Sequence, residues 1–249
     1  MRIGIVKHLN ARPLTYGFEK KGSHTLVYDN PSVLVDYLLR GDLDLALISS
    51  VECLRNENFL DYSLSTGVCS AQKVRSILYF ENKREDSPFA RIHVDSGSRS
   101  SVALLKILIA DRYAQIPTTL ATPSTEIQKM IENGIGSHLL FGDNALLAKW
   151  DPDQYTVYDL ATLWNEATSH FFCFALWAYP KNQKIESDLF YSSLEYGLQN
   201  IDEIISNEHR FSEDMIREYL LKELHYVLTE KDKEGFEEFR KRCMKYGLI

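Results

Sequence analysis

The sequence predicts an α/β fold made of two lobes, with a ligand cleft between them and a helical tail at the C-terminus. Short apolar runs alternate with amphipathic helical patterns over about residues 3–178, which is typical of sheets covered by helices. Polar residues follow several of the apolar runs, and ligands of open α/β sheets bind at such strand ends. The regular alternation also predicts that the sheets are largely parallel.

The first fifty residues indicate a strand, a helical region and a second strand. Ile3–Val6 is the first apolar run, and Arg12-Pro13 marks a helix start, where proline is tolerated because its missing N–H needs no partner. Ser32 is a plausible N-cap for the next helix, which Gly41 ends. Residues 42–48 first alternate between polar and apolar and then become fully apolar, as expected for a strand entering a buried sheet.

The middle of the chain predicts a change of lobe. Strand-like residues 76–80 precede the charged, proline-containing segment 82–88, which is a good crossover, and a new strand begins at Arg91. We therefore expect lobe 1 to comprise residues 1–85 and 175–249, and lobe 2 to comprise residues 86–174. The other predicted elements are a helix after Ser98, a helix at 122–132, strands at 137–141, 155–160 and 171–178, and helices at 182–206, 212–229 and 231–246, the last with a capping box formed by Thr229 and Asp232.

Composition excludes several classes of function. The formal net charge of −7 leaves no basic face for nucleic acid, and no apolar stretch reaches the roughly 20 residues of a membrane span. The opening Met1–Lys7 lacks the features of a signal peptide, so we expect a cytoplasmic protein. The four cysteines form no CxxC pair or zinc-type spacing, so we expect no metal and no organic cofactor. A homodimer is an open alternative.

The strongest functional signal is the set of short polar side chains at separate strand ends. His8 and Asn10 follow the first strand, and serines also stand at a helix start in 96–101, where free N–H groups and the helix dipole favour an anion. No nucleotide-binding glycine motif is present in the sequence, so a small carboxylate is the expected ligand. The candidate substrate-binding residues are Ser49, Ser50, Ser70, Arg75, Ser76, Ser98, Arg99, Ser100, Ser101, Gly142 and Asp143.

Each candidate also has a purely structural interpretation. Ser98 and Asp143 are suited to capping the helices that follow them, and Arg75 to a surface ion pair. Asn10 is suited to a turn, and His8 to a hydrogen bond at a strand end. The functional interpretation therefore depends on whether these separate strand ends converge.

The same positions resemble the chorismate dehydratase family of menaquinone biosynthesis, which has a periplasmic-binding-protein-like type II fold. The resemblance rests on Leu9-Asn10-Ala11-Arg12-Pro13-Leu14, Ser49-Ser50-Val51-Glu52, Val74-Arg75-Ser76 and Ser98-Arg99-Ser100-Ser101-Val102, in that order. It extends over about residues 2–180 and includes 142–146, 158–160 with Trp164, and 174–177. His8, Cys69 and Lys73 depart from the family pattern.

The resemblance implies a lyase that dehydrates chorismate to 3-[(1-carboxyvinyl)oxy]benzoate in the futalosine pathway. It also leads to the hypothesis that Asn10 is the catalytic residue and orients the leaving hydroxyl or the ring. The base would be a substrate carboxylate or a residue that the sequence does not reveal. Three alternatives stay open: a non-enzymatic binding protein for a small carboxylate, the ligand-sensing domain of a regulator, and the sister 1,4-dihydroxy-6-naphthoate synthase.

Overall fold

Two β-sheets organise the chain, and the computed structural model describes residues 1–95 and 97–249. The strands are β1 (Arg2–Ile5), β2 (Thr25–Tyr28), β3 (Leu45–Ser49), β4 (Leu60–Ser70), β5 (Ile77–Asn82), β6 (Arg91–Val94), β7 (Thr118–Ala121), β8 (Ser137–Phe141), β9 (Tyr155–Asp159), β10 (Phe172–Pro180) and β11 (His225–Val227). The first sheet has the order β11-β4-β10-β3-β1-β2, and the second has the order β7-β6-β8-β5-β9.

Helices cover both sheets and form most of the C-terminal segment, which confirms the predicted α/β class and helical tail. A 3-10 turn at Leu9–Ala11 and a π-helical turn at Tyr219–Glu223 add to the α-helices. The α-helices are α1 (Arg12–Lys20), α2 (Pro31–Arg40), α3 (Ser50–Arg55), α4 (Arg99–Tyr113), α5 (Ser124–Glu132), α6 (Gly142–Leu147), α7 (Leu160–Thr168), α8 (Ser187–Gln199), α9 (Ile201–Ser206), α10 (Glu213–Glu218) and α11 (Glu230–Lys245). Within the described residues, no helix is long and apolar enough to cross a membrane.

The sheets are mixed, so the prediction of largely parallel sheets is wrong. β1 is parallel to β2 and β3, and β6 is parallel to β7 and β8. In contrast, β10 is antiparallel to β3 and β4, and β5 is antiparallel to β8 and β9. Both β5 and β10 are the first strands that the chain forms after passing from one sheet to the other. They therefore lack the helical crossover within one sheet that makes neighbouring strands parallel.

The chain leaves the first sheet after Ser70 and enters the second at Ile77. The predicted boundary at residue 85 therefore assigns Ile77–Asn82 to the wrong sheet, because this strand pairs with β8 and β9. The charged segment 82–88 joins two strands of the second sheet instead of joining the lobes. The return occurs through α7 to Phe172, close to the predicted boundary at 175. The division of the chain into two lobes stays a prediction.

Several local predictions are corrected by backbone geometry. The second long helix starts with Asn30 at the N-cap and Pro31 in its first turn, so Ser32 does not cap it. The helix predicted over 212–229 breaks into α10, the π-helical turn and β11, which pairs along the edge of β4. The capping box of Thr229 and Asp232 at α11 is confirmed.

A largely aromatic cluster fastens the crossover helix α7 to the first sheet and to α11. Trp164 packs edge-on against Phe172 and Phe239, with ring centroids 5.4 and 6.2 Å apart. Its indole Nε1 donates to the carbonyl of Phe171 at 3.1 Å. The indole is fully buried, so its area and its satisfied polar atom both stabilise the junction between the lobes.

Candidate functional site

The polar strand ends that the sequence singles out meet between the two sheets. The backbone N–H of Leu9, just after β1, donates to the Asp143 carboxylate at the end of β8, at 3.2 Å. The hydroxyls of Ser50 and Ser100, from α3 and α4, lie 3.0 Å apart. Residues of both lobes therefore form one polar region, as the sequence predicts for a ligand cleft.

The contact between Ser50 and Ser100 joins the starts of two helices. The Ser100 hydroxyl also accepts from the backbone N–H of Val51 at 3.1 Å, and it thereby satisfies a donor that the first turn of α3 leaves free. Both serines are fully buried, and Ser49 is almost so. Their hydroxyls thus hold the lobes together in this conformation, and a role in substrate binding stays a prediction.

Ser98 caps α4, which is the structural interpretation of this residue. Its hydroxyl accepts from the backbone N–H of Ser101 at 3.4 Å and lies 2.8 Å from the Ser101 hydroxyl. Ser96, the first serine of this segment, lies outside the described residues. The hydroxyls of Ser98 and Ser101 therefore have partners within the turn, and their predicted contact with a carboxylate would require an exchange of partners.

Each predicted arginine is already paired with a carboxylate. Arg99 contacts Glu52 of α3 at 3.1 Å. Arg75 contacts Glu218 at 2.8 Å and pairs with Glu223 as well. Although partial burial lowers the pKa of Arg75, the hydrogen bonds that its guanidinium donates to the two glutamates raise it overall. A substrate carboxylate would have to compete with these partners.

Arg75 belongs to the tight connection from β4 to β5. Its φ of 43° is left-handed, and the backbone N–H groups of Val74 and Arg75 both donate to one oxygen of Asp159, at 2.9 and 2.7 Å. The Ser70 hydroxyl donates to the carbonyls of Gln72 and Lys73 at 3.1 and 3.4 Å. These bonds fix the turn that precedes Ser76, at the junction between the lobes.

Ser76 and Tyr219 present two buried hydroxyls that lie close to each other and for which the described residues supply no further hydrogen-bond partner. The Ser76 carbonyl accepts from the backbone N–H of Gly142 at 2.7 Å, which places this serine beside Asp143. Burial raises the pKa of Tyr219, so its phenol stays protonated and can donate. Buried polar groups without full hydrogen bonding are costly, and a polar ligand beside these hydroxyls would supply the missing partners.

Asp143 and Arg210 form the other polar link between the lobes. The second carboxylate oxygen of Asp143 lies 2.9 Å from the Arg210 guanidinium, which also contacts Glu208. Hydrogen bonding to Glu208, with a further contribution from Asp143, raises the pKa of Arg210. Sequence reasoning missed Arg210 and Tyr219, because a charged loop and an aromatic residue in a helical pattern carry no local sign of a site.

His8 is the titratable side chain nearest in sequence to Asn10 within this region. Its ring packs edge-on against Phe141 at 5.3 Å and lies beside Gly142, where an added Cβ would come within 3.4 Å of the ring. Burial lowers the pKa of His8, whereas the carboxylates of Asp143 and Asp95 oppose this shift. The ring therefore favours its neutral form and can accept a proton. Asn10 is half-buried in the adjoining 3-10 turn.

Comparisons with known proteins find similar sequences. A family model described as menaquinone biosynthesis matches residues 1–245. A chorismate dehydratase from Thermus thermophilus is 27% identical over an alignment of 257 positions, which covers 95% of this chain and 93% of the relative.

Solved structures confirm the predicted fold. A protein from Archaeoglobus fulgidus has a TM-score of 0.79 at 15% identity, covering 100% of this chain and 98% of that one. The periplasmic aliphatic sulphonate binding protein of Escherichia coli has a TM-score of 0.65 at 13% identity, covering 100% and 93%. The chain therefore has a periplasmic-binding-protein-like fold.

Proposed function

Because the chain belongs to the family of menaquinone biosynthesis proteins, we propose that it is a lyase that dehydrates chorismate to 3-[(1-carboxyvinyl)oxy]benzoate. The Thermus thermophilus relative, a chorismate dehydratase, supports this choice of reaction over binding alone. The observation that carries the proposal is the pair of neighbouring buried hydroxyls of Ser76 and Tyr219, which have no partner beyond each other within the described residues and lie beside the polar junction between the lobes. The reaction would supply the futalosine route to menaquinone.

The chemistry needs polarisation of the substrate more than a strong acid or base. The hydroxyl leaves from ring carbon C4 and a proton from C3, which together make one water, and the ring becomes aromatic. Charge released from C3 spreads into the ring carboxylate through the conjugated double bonds. Donors aimed at that carboxylate would stabilise the transition state more than the ground state.

Neutral donors are the available groups for this task. Arg75 and Arg99 are held by glutamates, and Arg210 is held by Asp143 and Glu208. The Ser76 and Tyr219 hydroxyls lie close to each other and have no charged hydrogen-bond partner within the described residues. We assign to them the substrate carboxylate, with Ser49, Ser98 and Ser100 as further predicted donors.

Asn10 is proposed to orient the leaving hydroxyl or the ring. It occupies the turn between β1 and α1, and Asp143 fixes this turn through the Leu9 N–H. The proton acceptor is either a carboxylate of the substrate or His8, whose neutral ring lies between the lobes. A group positioned by a rigid turn avoids the cost of reorganisation during the reaction.

The test compares chorismate turnover by the wild type, Ser76→Ala and Ser206→Ala. Ser206 is an exposed serine at the end of α9 and serves as the matched control. We expect aromatic product from the wild type and the control, and a loss of roughly tenfold or more in kcat/KM for Ser76→Ala. Binding without product would favour the solute-binding alternative. No interaction with chorismate would favour the sister naphthoate synthase or a different carboxylate.

A further inference from the structure

Three strands of the first sheet bring two thiols and an imidazole into one row. Cys173 of β10 lies directly opposite Cys69 of β4, and Cys69 lies directly opposite His225 of β11. Side chains of directly opposed residues share one face of a sheet and approach closely. The row therefore crosses β10, β4 and β11 at one level.

Asp232 completes the group from the first turn of α11. One of its carboxylate oxygens accepts from the backbone N–H and the hydroxyl of Thr229 at 2.8 and 2.6 Å. The other lies 2.8 Å from Nε2 of His225. The Cys69 sulfur, a ring nitrogen of His225 and an Asp232 oxygen all lie within 4.8 Å of one another. These three ligand types thus converge on one point.

We propose that Cys69, His225 and Asp232 bind a divalent cation of the zinc class, with water as the fourth ligand. Sulfur, imidazole and carboxylate together suit a borderline-soft, four-coordinate cation, whereas magnesium and calcium prefer oxygen alone. The site is separate from the proposed dehydration, which uses none of these side chains. It also accounts for Cys69, which departs from the family pattern.

The protonation states are consistent with such a site. Although burial raises the pKa of Asp232, hydrogen bonds from His225 and Thr229 lower it overall, so the carboxylate is charged. Burial raises the pKa of Cys69, so without a cation the thiol keeps its proton. Binding would release the Cys69 proton to solvent and use the neutral imidazole. One thiolate and one carboxylate would then balance a divalent charge.

His225 gives the site a route to solvent. Its side chain is 29% exposed, whereas Asp232 is fully buried. The ring lines a largely apolar groove of about 400 Å³ on the surface. A bound cation would fasten the edge strand β11 and the start of α11 to β4. Its role would therefore be to stabilise the C-terminal segment.

The first test is a cobalt titration of metal-stripped, full-length protein under reducing conditions. We expect one cobalt per chain, a thiolate-to-cobalt charge-transfer band, d–d bands of a tetrahedral ion, and displacement by zinc but not by magnesium. This measurement needs no variant, so a folding defect cannot obscure it. Absence of the thiolate band in folded wild type would overturn the proposal.

Variants then assign the ligands by zinc affinity and by the cobalt spectrum. Cys69→Ser should abolish the band, and Thr229→Ala, which removes a partner of Asp232, should weaken zinc binding by about 10–100-fold. Cys243→Ser is the matched control, because Cys243 is also buried in α11 but lies about 16 Å along the helix from Asp232. An unchanged band in Cys69→Ser, with circular dichroism confirming the fold, would refute the assignment.

Discussion

Replacement of Asp143 separates two contributions to the junction between the lobes. One carboxylate oxygen accepts from the backbone N–H of Leu9, and the other pairs with Arg210. Asp143→Asn keeps a carbonyl oxygen for the Leu9 N–H but removes the charge. Asp143→Ala removes both acceptors and leaves the Leu9 N–H, in a residue that is only 2% exposed, without a partner.

The structure gives a different magnitude for each variant. A hydrogen bond to a charged group contributes ~1.5–3 kcal/mol, and a buried donor left unpaired costs a similar amount. The ion pair with Arg210 is worth at most ~1 kcal/mol, because the arginine side chain is 47% exposed. We therefore expect Asp143→Ala to lower the free energy of unfolding by ~2–3 kcal/mol, and Asp143→Asn by no more than ~1 kcal/mol.

Urea unfolding followed by tryptophan fluorescence measures the free energy of unfolding of both variants, and Arg210→Gln is the third variant in the comparison. Arg210→Gln should destabilise at least as much as Asp143→Asn, since it removes the same ion pair and also the exposed pair with Glu208. Equal destabilisation by the alanine and asparagine variants would refute the importance of the Leu9 N–H. A stability of Asp143→Ala equal to that of wild type would show that this link contributes nothing.

Three further perturbations test other parts of the structure. Asn10→Ala should lower kcat by roughly tenfold or more while chorismate still binds, because a positioning group is lost; turnover and calorimetric binding measure this, and near-normal kcat would exclude the role. Ser100→Ala should lower the free energy of unfolding by ~1–3 kcal/mol in urea, because it leaves the buried Val51 N–H unpaired, and no change would contradict the proposed link. Burial lowers the pKa of His138 to about 4, whereas its pKa in the unfolded chain is ~6.5. The contribution of neutral His138 to the free energy of unfolding is therefore complete above pH ~6.5. It is lost as the pH falls towards 4, by on the order of 3 kcal/mol. Urea midpoints across this range should fall less in His138→Asn than in wild type, and equal slopes would refute the assignment; His209→Asn, at an exposed position, is the control.

Local patterns in the sequence predicted the features that depend on neighbouring residues. The apolar run that ends at Ser49 predicted a buried strand, and all of β3 is buried. The spacing of Thr229 and Asp232 predicted the start of α11 within one residue. Polar side chains at the ends of β1 and β8 predicted that these strand ends converge, and the Leu9 N–H contacts Asp143 there.

Features that depend on distant partners could not be predicted in this way. The pairing of Arg75 with Glu218 and Glu223 joins residues more than 140 positions apart, so the sequence left both a substrate carboxylate and an ion pair open for Arg75. Cys69 and His225 come together because β11 pairs with the edge of β4. The spacing of cysteines and histidines along the chain does not predict this grouping. β11 itself was hidden because Tyr219–Glu223 continues a helical pattern before the chain turns into a strand.

The most direct test of the account uses chorismate labelled with deuterium at ring carbon C3. Dehydration as proposed removes the C3 hydrogen and the C4 hydroxyl, so mass spectrometry should find an aromatic product that has lost water and the label. Asn10→Ala and Ser76→Ala should form this product slowly, and Ser206→Ala at the wild-type rate. Recovery of intact, labelled chorismate from folded wild type, or an aromatic product that keeps the deuterium at C3, would contradict the account.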